Sequence, residues 1–271
     1  MHYTMIDRKQ VKRENKQLLK TAQVSPKALT VFYLGISMFL SVCTTFLPSM
    51  SLFSLAFDMA SVALEPLLIV GTFVSILVTL MLQVLTAGYT LYCMGIYKGE
   101  HMDFGNLFDG FAFASKIVSL MILEFFYVWA WSLLFVFPGI IAAYRYRFAL
   151  LNLCENPELS AGEALALSKK QTKGYKLQVF MLDLSFIPWM LLAQLPTFVL
   201  YGSAFEVVSI ASLIPQSLLV QNLIIGLWSL VVMCFYLPLY QTSEVAYFEI
   251  AKESFNGNYN HRNDPDKEIW E

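Results

Sequence analysis

"FVFPGIIAAYRYRFALLNLCENPELSAGEALALSKKQTKG", residues 135–174, begins inside an apolar run and ends among lysines. A Pro-Gly pair and two arginines interrupt what would otherwise read as buried helix. Proline has no backbone donor and clashes with the preceding helical turn, and glycine tolerates the conformations of a tight reversal. The stretch therefore predicts that the chain turns round beside Pro138 and Gly139 and that a short helix, Ile140 to Glu155, brings it back. Sixteen residues at 1.5 Å each span only about 24 Å, less than the roughly 30 Å of a bilayer's hydrocarbon core. That return helix is short, or the reversal lies below the far surface.

The membrane setting comes from composition. Of 271 residues 57% are hydrophobic and 14% charged, against roughly 25% charged in soluble domains. Residues 28–47, 66–97 and 207–243 contain no charged side chain, and a spanning helix needs about 20 mainly apolar residues. The runs do not alternate as the strands of a membrane β-barrel would. The fold class is all-α, a polytopic membrane helix bundle. The basic N-terminus does not read as a cleavable signal peptide, so the first span, Ala28 to Leu47, is expected to remain in the chain.

Charge placement orients the bundle. Lysine and arginine are absent from 28–97 and 177–251; seven lie at 8–27 and four at 169–176. Positive loops stay cytoplasmic, so the N-terminus and the lysines near 170 share a compartment only if the chain reverses beside Pro138. Six spans follow, near 28–47, 67–97, 117–137, 140–155, 177–202 and 217–249, with both termini cytoplasmic. The loops at 48–66 and 203–216, acidic but without a basic residue, are external. The organisation is 1–27 as a basic amphipathic segment, 28–251 as the membrane domain and 252–271 as a polar tail. Pro188 and Pro238 inside spans mark kinks or hinges.

Short cytoplasmic helices complete the picture. Residues 7–22 carry Val11, Leu18, Leu19 and Ala22 on one helical face and Arg8, Lys9, Lys12, Arg13, Lys16 and Lys20 elsewhere. This suits a helix held in the headgroup layer by anionic lipid, or a solvated basic arm. Ser160 with Glu163 three residues on is a capping box; Gly174 supplies the stop. Ala161, Ala164, Leu165, Ser168 and Thr172 form a small-residue face suited to close packing.

Ionisable groups inside spans are costly and mark function or a partner. Five are present: Glu124, Arg145, Arg147, Asp183 and Glu244. Counting from the cytoplasmic lysines, Glu124 and Asp183 lie roughly 10–12 Å deep, level with the two arginines. Opposite charges at one height should pair, so Glu124 and Asp183 are expected to cluster with Arg145 or Arg147. The second arginine, on another face, snorkels. The cluster is either a lock between helices or a path for an ion, proton or lipid headgroup. No catalytic motif and no metal-ligand spacing occurs, so no catalytic residue, metal or cofactor is assigned. Cys43, Cys93, Cys154 and Cys234 are isolated and read as small buried apolar residues. Tyr97, Trp129, Trp189 and Tyr247 read as interface anchors.

Several stretches together are similar to one known family: "WSLLFVFPGI" (131–140), "AYRY" (143–146), "ENPELSAGEALALSKK" (155–170) and "FMLDLSFIPW" (180–189). With "NLFDGF" (106–111), the Arg8-to-Leu19 opening and "PLYQTSEVAYFE" (238–249), they resemble the bacterial family labelled domain of unknown function 975. The resemblance implies a six-helix-like bacterial membrane protein, loosely akin to the membrane domain of some glycerophosphodiester phosphodiesterases, whose catalysis belongs to a separate soluble domain. It brings no activity with it. Arg145 and Arg147 stand where the family often has small polar residues, Pro188 replaces a usual glycine, and 203–225 has no clear match. Asp183 falls within the family motif. The expected role is therefore a non-enzymatic accessory or scaffold in the plasma membrane. The alternatives are a transporter or channel component for a small solute or lipid, or a lipid enzyme. Expected partners are the bilayer, anionic headgroups and another membrane protein, with no nucleic acid.

Overall fold

Helix ends fall where capping chemistry puts them. A computed structural model describes residues 6–22, 24–56, 64–201 and 218–262. The first helix, α1 (Arg8–Thr21), is capped by Asp7, whose carboxylate accepts from the Lys9 amide, and it meets α2 (Pro26–Ala56) at 90°. The third, α3 (Leu64–Lys98), stops at Gly99, whose φ of 75° is the left-handed conformation glycine adopts without cost. A 3-10 segment, Phe104–Phe113, leads directly into α4 (Ala114–Leu134). Next come α5 (Val136–Tyr146), α6 (Ala149–Glu155) and α7 (Ala161–Gln171). The set closes with α8 (Lys176–Leu184), α9 (Ile187–Tyr201) and α10 (Leu218–Arg262). Every described element is helical. The expected external loop at 48–66 is mostly helix, since α2 runs on through Ala56 and α3 starts at Leu64; its residues 57–63, the loop at 203–216, Cys43's side chain and the last nine residues lie outside what is described.

Three helical stretches, Ile69–Lys98, Phe104–Leu133 and Leu223–Gly257, are long and apolar enough to cross a membrane, and up to five are if each of two bent pairs counts as one span. Their outer faces carry a belt of large apolar side chains, with Phe39 71%, Phe73 66% and Phe125 62% exposed. The interior holds Thr30, Thr90, Asn152, Ser168, Thr242 and Ser243, all buried. Apolar outside and polar at the helix contacts is the arrangement lipid selects, because helices there gain nothing from burying apolar surface but do gain from close packing and hydrogen bonds. The architecture is that of a membrane-embedded protein.

The chain does reverse near Pro138, but the turn itself is Phe135, an extended residue between α4 and α5 (φ −164°, ψ 157°). The two helices run back along each other: a Cβ on Gly139 would collide with Ser132, and Tyr127 lies 5.7 Å from Tyr146. Pro138 sits in the first turn of α5, where amides have no intrahelical acceptor and its missing N–H costs nothing. Pro188 likewise occupies the first turn of α9, just after a 42° bend between α8 and α9. Both prolines thus follow a break and start the next helix. Pro238 is inside α10, which continues through it. At Pro138 and Pro188 the break precedes the proline, because proline at a helix start is preorganised, not disruptive.

Three further expectations need correction. The return helix, read as one piece from 140 to 155, is broken at residues 147–148 into α5 and α6. The polar tail expected from residue 252 is helical through Arg262, an unbroken continuation of α10. At 45 residues α10 is about 67 Å long, so it cannot lie wholly within a hydrocarbon layer. Tyr247, expected as an interface anchor, is buried, whereas Trp129 and Trp189 are exposed.

Close packing is bought with small residues at one contact in particular. Cβ atoms added to Gly88 and Gly110 would strike the backbones of Leu107 and Val84, so the 3-10 segment lies directly on α3. Against α2, α3 presents a ladder of hydroxyls: Thr30 with Tyr89 at 2.9 Å and Tyr33 with Thr86 at 3.1 Å, with the Tyr33 and Tyr89 rings stacked at 4.8 Å. On the other side of the bundle, α10 takes the Trp228 indole N–H onto the Leu192 carbonyl of α9 at 2.8 Å. It also reaches α3 through Gln241 and Thr90.

Candidate functional site

The break at 147–148 is what builds the site. Ending α5 and restarting α6 leaves the Arg145 carbonyl and the Phe148 amide without helical partners, a cost the interior must meet. The small-residue face of α7 meets it. Ser168 Oγ accepts from the Phe148 amide at 3.1 Å and donates to the Arg145 carbonyl at 3.0 Å. Thr172 Oγ1 donates to that same carbonyl at 3.1 Å. One turn away Asn152 and Gln171 exchange two amide hydrogen bonds at 2.7 and 2.9 Å. The capping box that starts α7 forms as its sequence requires, with the Ser160 amide donating to Glu163 at 2.8 Å. Ala161, Ala164, Leu165, Ser168 and Thr172 are all buried.

Freed from a helical register, Arg147 enters the bundle. Its Nε lies 2.6 Å from Glu244 Oε1, an ion pair by proximity without an in-line hydrogen bond. Its terminal nitrogen donates to the Tyr240 hydroxyl and lies 3.7 Å from Asp183 Oδ1. Asp183 accepts from Tyr144 at 2.7 Å on one oxygen and from Tyr240 at 2.8 Å on the other. Tyr240 and Glu244 are four residues apart on α10 and so share a face. Helices α5, α8 and α10 and the α5–α6 junction therefore converge on one guanidinium. Glu244, 7% exposed, is the most enclosed of its carboxylates.

The four expected cluster residues are only partly brought together. Asp183 and Arg147 pair as their matched depths required. Arg145 does not join: its guanidinium lies 5.6 Å from the Trp131 ring on α4. Glu124 is near enough to feel the Arg147 charge, but no hydrogen bond or ion pair reaches it among the described residues. Depth sets the height of a side chain but not which way it points, and Glu124 turns from the centre towards a groove between α3, α4 and α5. Glu244 takes its place. Tyr144, Tyr240 and the role of Glu244 were missed in the sequence. Glu244 lies eight residues before Lys252, within one residue of Asp183's depth, and that count would have found it.

The basic face of α1 also divides. Lys9, Arg13, Lys16 and Lys20 are exposed. Lys12 instead donates to Ser185 at 2.7 Å and sits over the Phe186 ring at 3.9 Å, and Arg8 donates to the Met181 carbonyl at 3.2 Å. With Asn15 reaching Ser243 at 3.3 Å, α1 is bound to α8 and α10. It is not a free arm.

A second ionic group closes the bundle's other level. Glu155, at the end of α6, receives Lys98 of α3 at 3.1 Å and Lys252 of α10, which also reaches Glu249 at 3.3 Å. Burial alone would raise the Glu155 carboxyl, but the hydrogen bonds from Lys252 and Lys98 prevail and hold it below the usual carboxylate range. Cys93, Cys154 and Cys234 are buried and unlinked.

No curated protein and no solved structure matches this chain. Residues 133–255 match the family model described as protein of unknown function (DUF975), a span that runs from the end of α4 into the last turns of α10. Arg147, Asp183, Tyr144, Tyr240 and Glu244 all lie within it, while Glu124 and α1 precede it. Over this region, a little under half of the chain, the protein is similar to the DUF975 family of proteins of unknown function.

Proposed function

We propose that this protein is a non-enzymatic accessory or scaffold of the bacterial cell envelope. In this reading it is a plasma-membrane bundle of about six spans with both termini cytoplasmic. One observation carries the reading: the intramembrane charges at its centre are consumed by one another. Both Asp183 oxygens accept tyrosine hydroxyls, and Arg147 lies between Asp183 and Glu244. A group whose hydrogen-bonding capacity is already used locks helices together; one that handles a substrate must keep capacity free. The exposed Lys9, Arg13, Lys16 and Lys20 give α1 a basic outer face for anionic headgroups at the cytoplasmic surface. The partner is another membrane protein.

Reconstitution of the purified chain tests this. The chain alone should neither conduct small solutes nor turn over lipid, and in mild detergent it should elute with a membrane protein in fixed stoichiometry. Lipid turnover that disappears in Asp183→Asn would replace the scaffold reading with an enzymatic one. For orientation, single cysteines introduced at Lys9 and Lys170 should both resist an impermeant thiol reagent on intact cells. Labelling at Lys170 alone would overturn the six-span arrangement.

A further inference from the structure

Glu124 is left over from the ionic centre, and its surroundings define a site of their own. It lines a groove of about 560 Å³ whose walls include Gln83 of α3, Phe125, Trp129 and Ser132 of α4, and Ala143 of α5. No lysine, arginine or histidine lines that groove. The cation whose charge reaches it, Arg147, is engaged with Glu244 and Asp183. The carboxylate thus stands among apolar and aromatic walls with no hydrogen bond or ion pair among the described residues. Phe125 and Trp129, one turn apart, are 62% and 51% exposed, and they open the groove sideways onto the apolar outer belt.

We propose that this groove binds a lipophilic organic monocation from the bilayer, with Glu124 as its counter-charge and Trp129 and Phe125 as its aromatic walls. Three arguments converge on that ligand. A carboxylate at this depth is disfavoured unless a positive partner is supplied, and the protein's own partner is spent elsewhere. Aromatic faces attract soft, weakly hydrated cations, and the attraction grows when water is excluded. A hard metal ion needs several oxygen ligands, whereas among the described residues no group of three or more His, Cys, Asp or Glu could hold one. The lateral opening favours a ligand already dissolved in lipid over one arriving from water. Occupancy of the groove requires no transport and no chemistry, so it is independent of the accessory role.

The probe is tetraphenylphosphonium, with tetraphenylborate as its anionic counterpart of matched shape. Binding is measured by equilibrium dialysis against the full-length protein in zwitterionic nanodiscs, with empty nanodiscs subtracted. The phosphonium should bind saturably at one site per chain, and Glu124→Gln should weaken it by about tenfold or more, the loss expected for a contact to a charged group. Trp129→Ala, at a half-exposed position where the fold tolerates truncation, should weaken it several-fold. Circular dichroism and elution volume establish that both variants are folded. The proposal is overturned if the phosphonium does not saturate, if neither variant changes its affinity, or if tetraphenylborate competes for the same site. Loss of the site would leave the accessory reading untouched, since that reading fails on lipid turnover or solute flux instead.

Discussion

Two ionic assemblies in this molecule use similar residues to different ends. At the end of the bundle, Glu155 draws Lys98 and Lys252 together, with side-chain exposures of 22%, 36% and 28%. Deeper in, Arg147 gathers Asp183 and Glu244, and two tyrosine hydroxyls donate to the Asp183 oxygens. In the first, water can replace any partner that leaves. In the second, Arg147 and Asp183 are no less exposed, at 34% and 25%, but their surroundings are the apolar interior of the bundle and Glu244 is only 10% exposed, so removing Arg147 strands that carboxylate. The same ion-pair vocabulary therefore makes an adjustable clasp at one level and a fixed lock at the other. The neighbouring arginines sharpen the contrast: Arg147 stands at a helix break and enters the lock, while Arg145, two residues earlier, lies against Trp131.

The largest effect should come from Arg147→Met. Breaking an enclosed ion pair by removing one partner typically costs about 3–5 kcal/mol, seen here as a lowered thermal midpoint in detergent. Adding Asp183→Asn and Glu244→Gln to that variant should recover much of the loss, because the stranded carboxylates are gone. Arg145→Met should cost no more than about 1 kcal/mol, the scale of an exposed cation–aromatic contact. If the two arginine variants prove equally harmful, the distinction between them is wrong.

Next in size is Ser168→Ala. It removes the acceptor of the Phe148 amide and one of two hydroxyls on the Arg145 carbonyl. An enclosed amide left unpaired costs about 1–3 kcal/mol, and Thr172→Val should cost less because Ser168 still serves that carbonyl. Hydrogen exchange at residues 145–150 localises the effect: protection should fall there first and elsewhere only with global unfolding. Uniform loss across the bundle would mean that α7 does not support the break.

These two cases also explain how far the sequence could be read. The membrane class and most helix starts were legible because a 20-residue apolar run and a Ser160–Glu163 box act locally. The face of α7 was legible through its helical spacing, and counting depth placed Asp183 level with Arg145 and Arg147 without choosing between them. The break at 147–148 was not visible, since no proline or glycine marks it. Its stabilising partner, Ser168, lies 20 residues further on. The placement of Glu124 failed for a related reason: residue counting fixes height along a helix, but the direction of a side chain depends on how helices rotate against one another. Tyrosines 144 and 240 escaped notice because a hydroxyl supporting a carboxylate carries no charge to count.

The smallest expected effect is at the exposed clasp, where pH and salt can dissect it. Glu155's carboxyl is held below its ordinary range in the folded protein. A group with a depressed folded pKa contributes fully above its unfolded value, about 4.3, and the contribution disappears as pH falls through the folded value. Glu155→Gln should therefore lower the thermal midpoint at neutral pH by an amount equivalent to about 0–1 kcal/mol, the range of exposed pairs. The gap from the parent should close as pH is taken below about 4. It should also narrow with added salt, which screens exposed charges within about 10 Å at 0.1 M, while the Arg147→Met gap should hardly respond. A salt-sensitive Arg147 gap, or a Glu155 gap that survives acidification, would show that the two assemblies differ in position alone and not in their access to water.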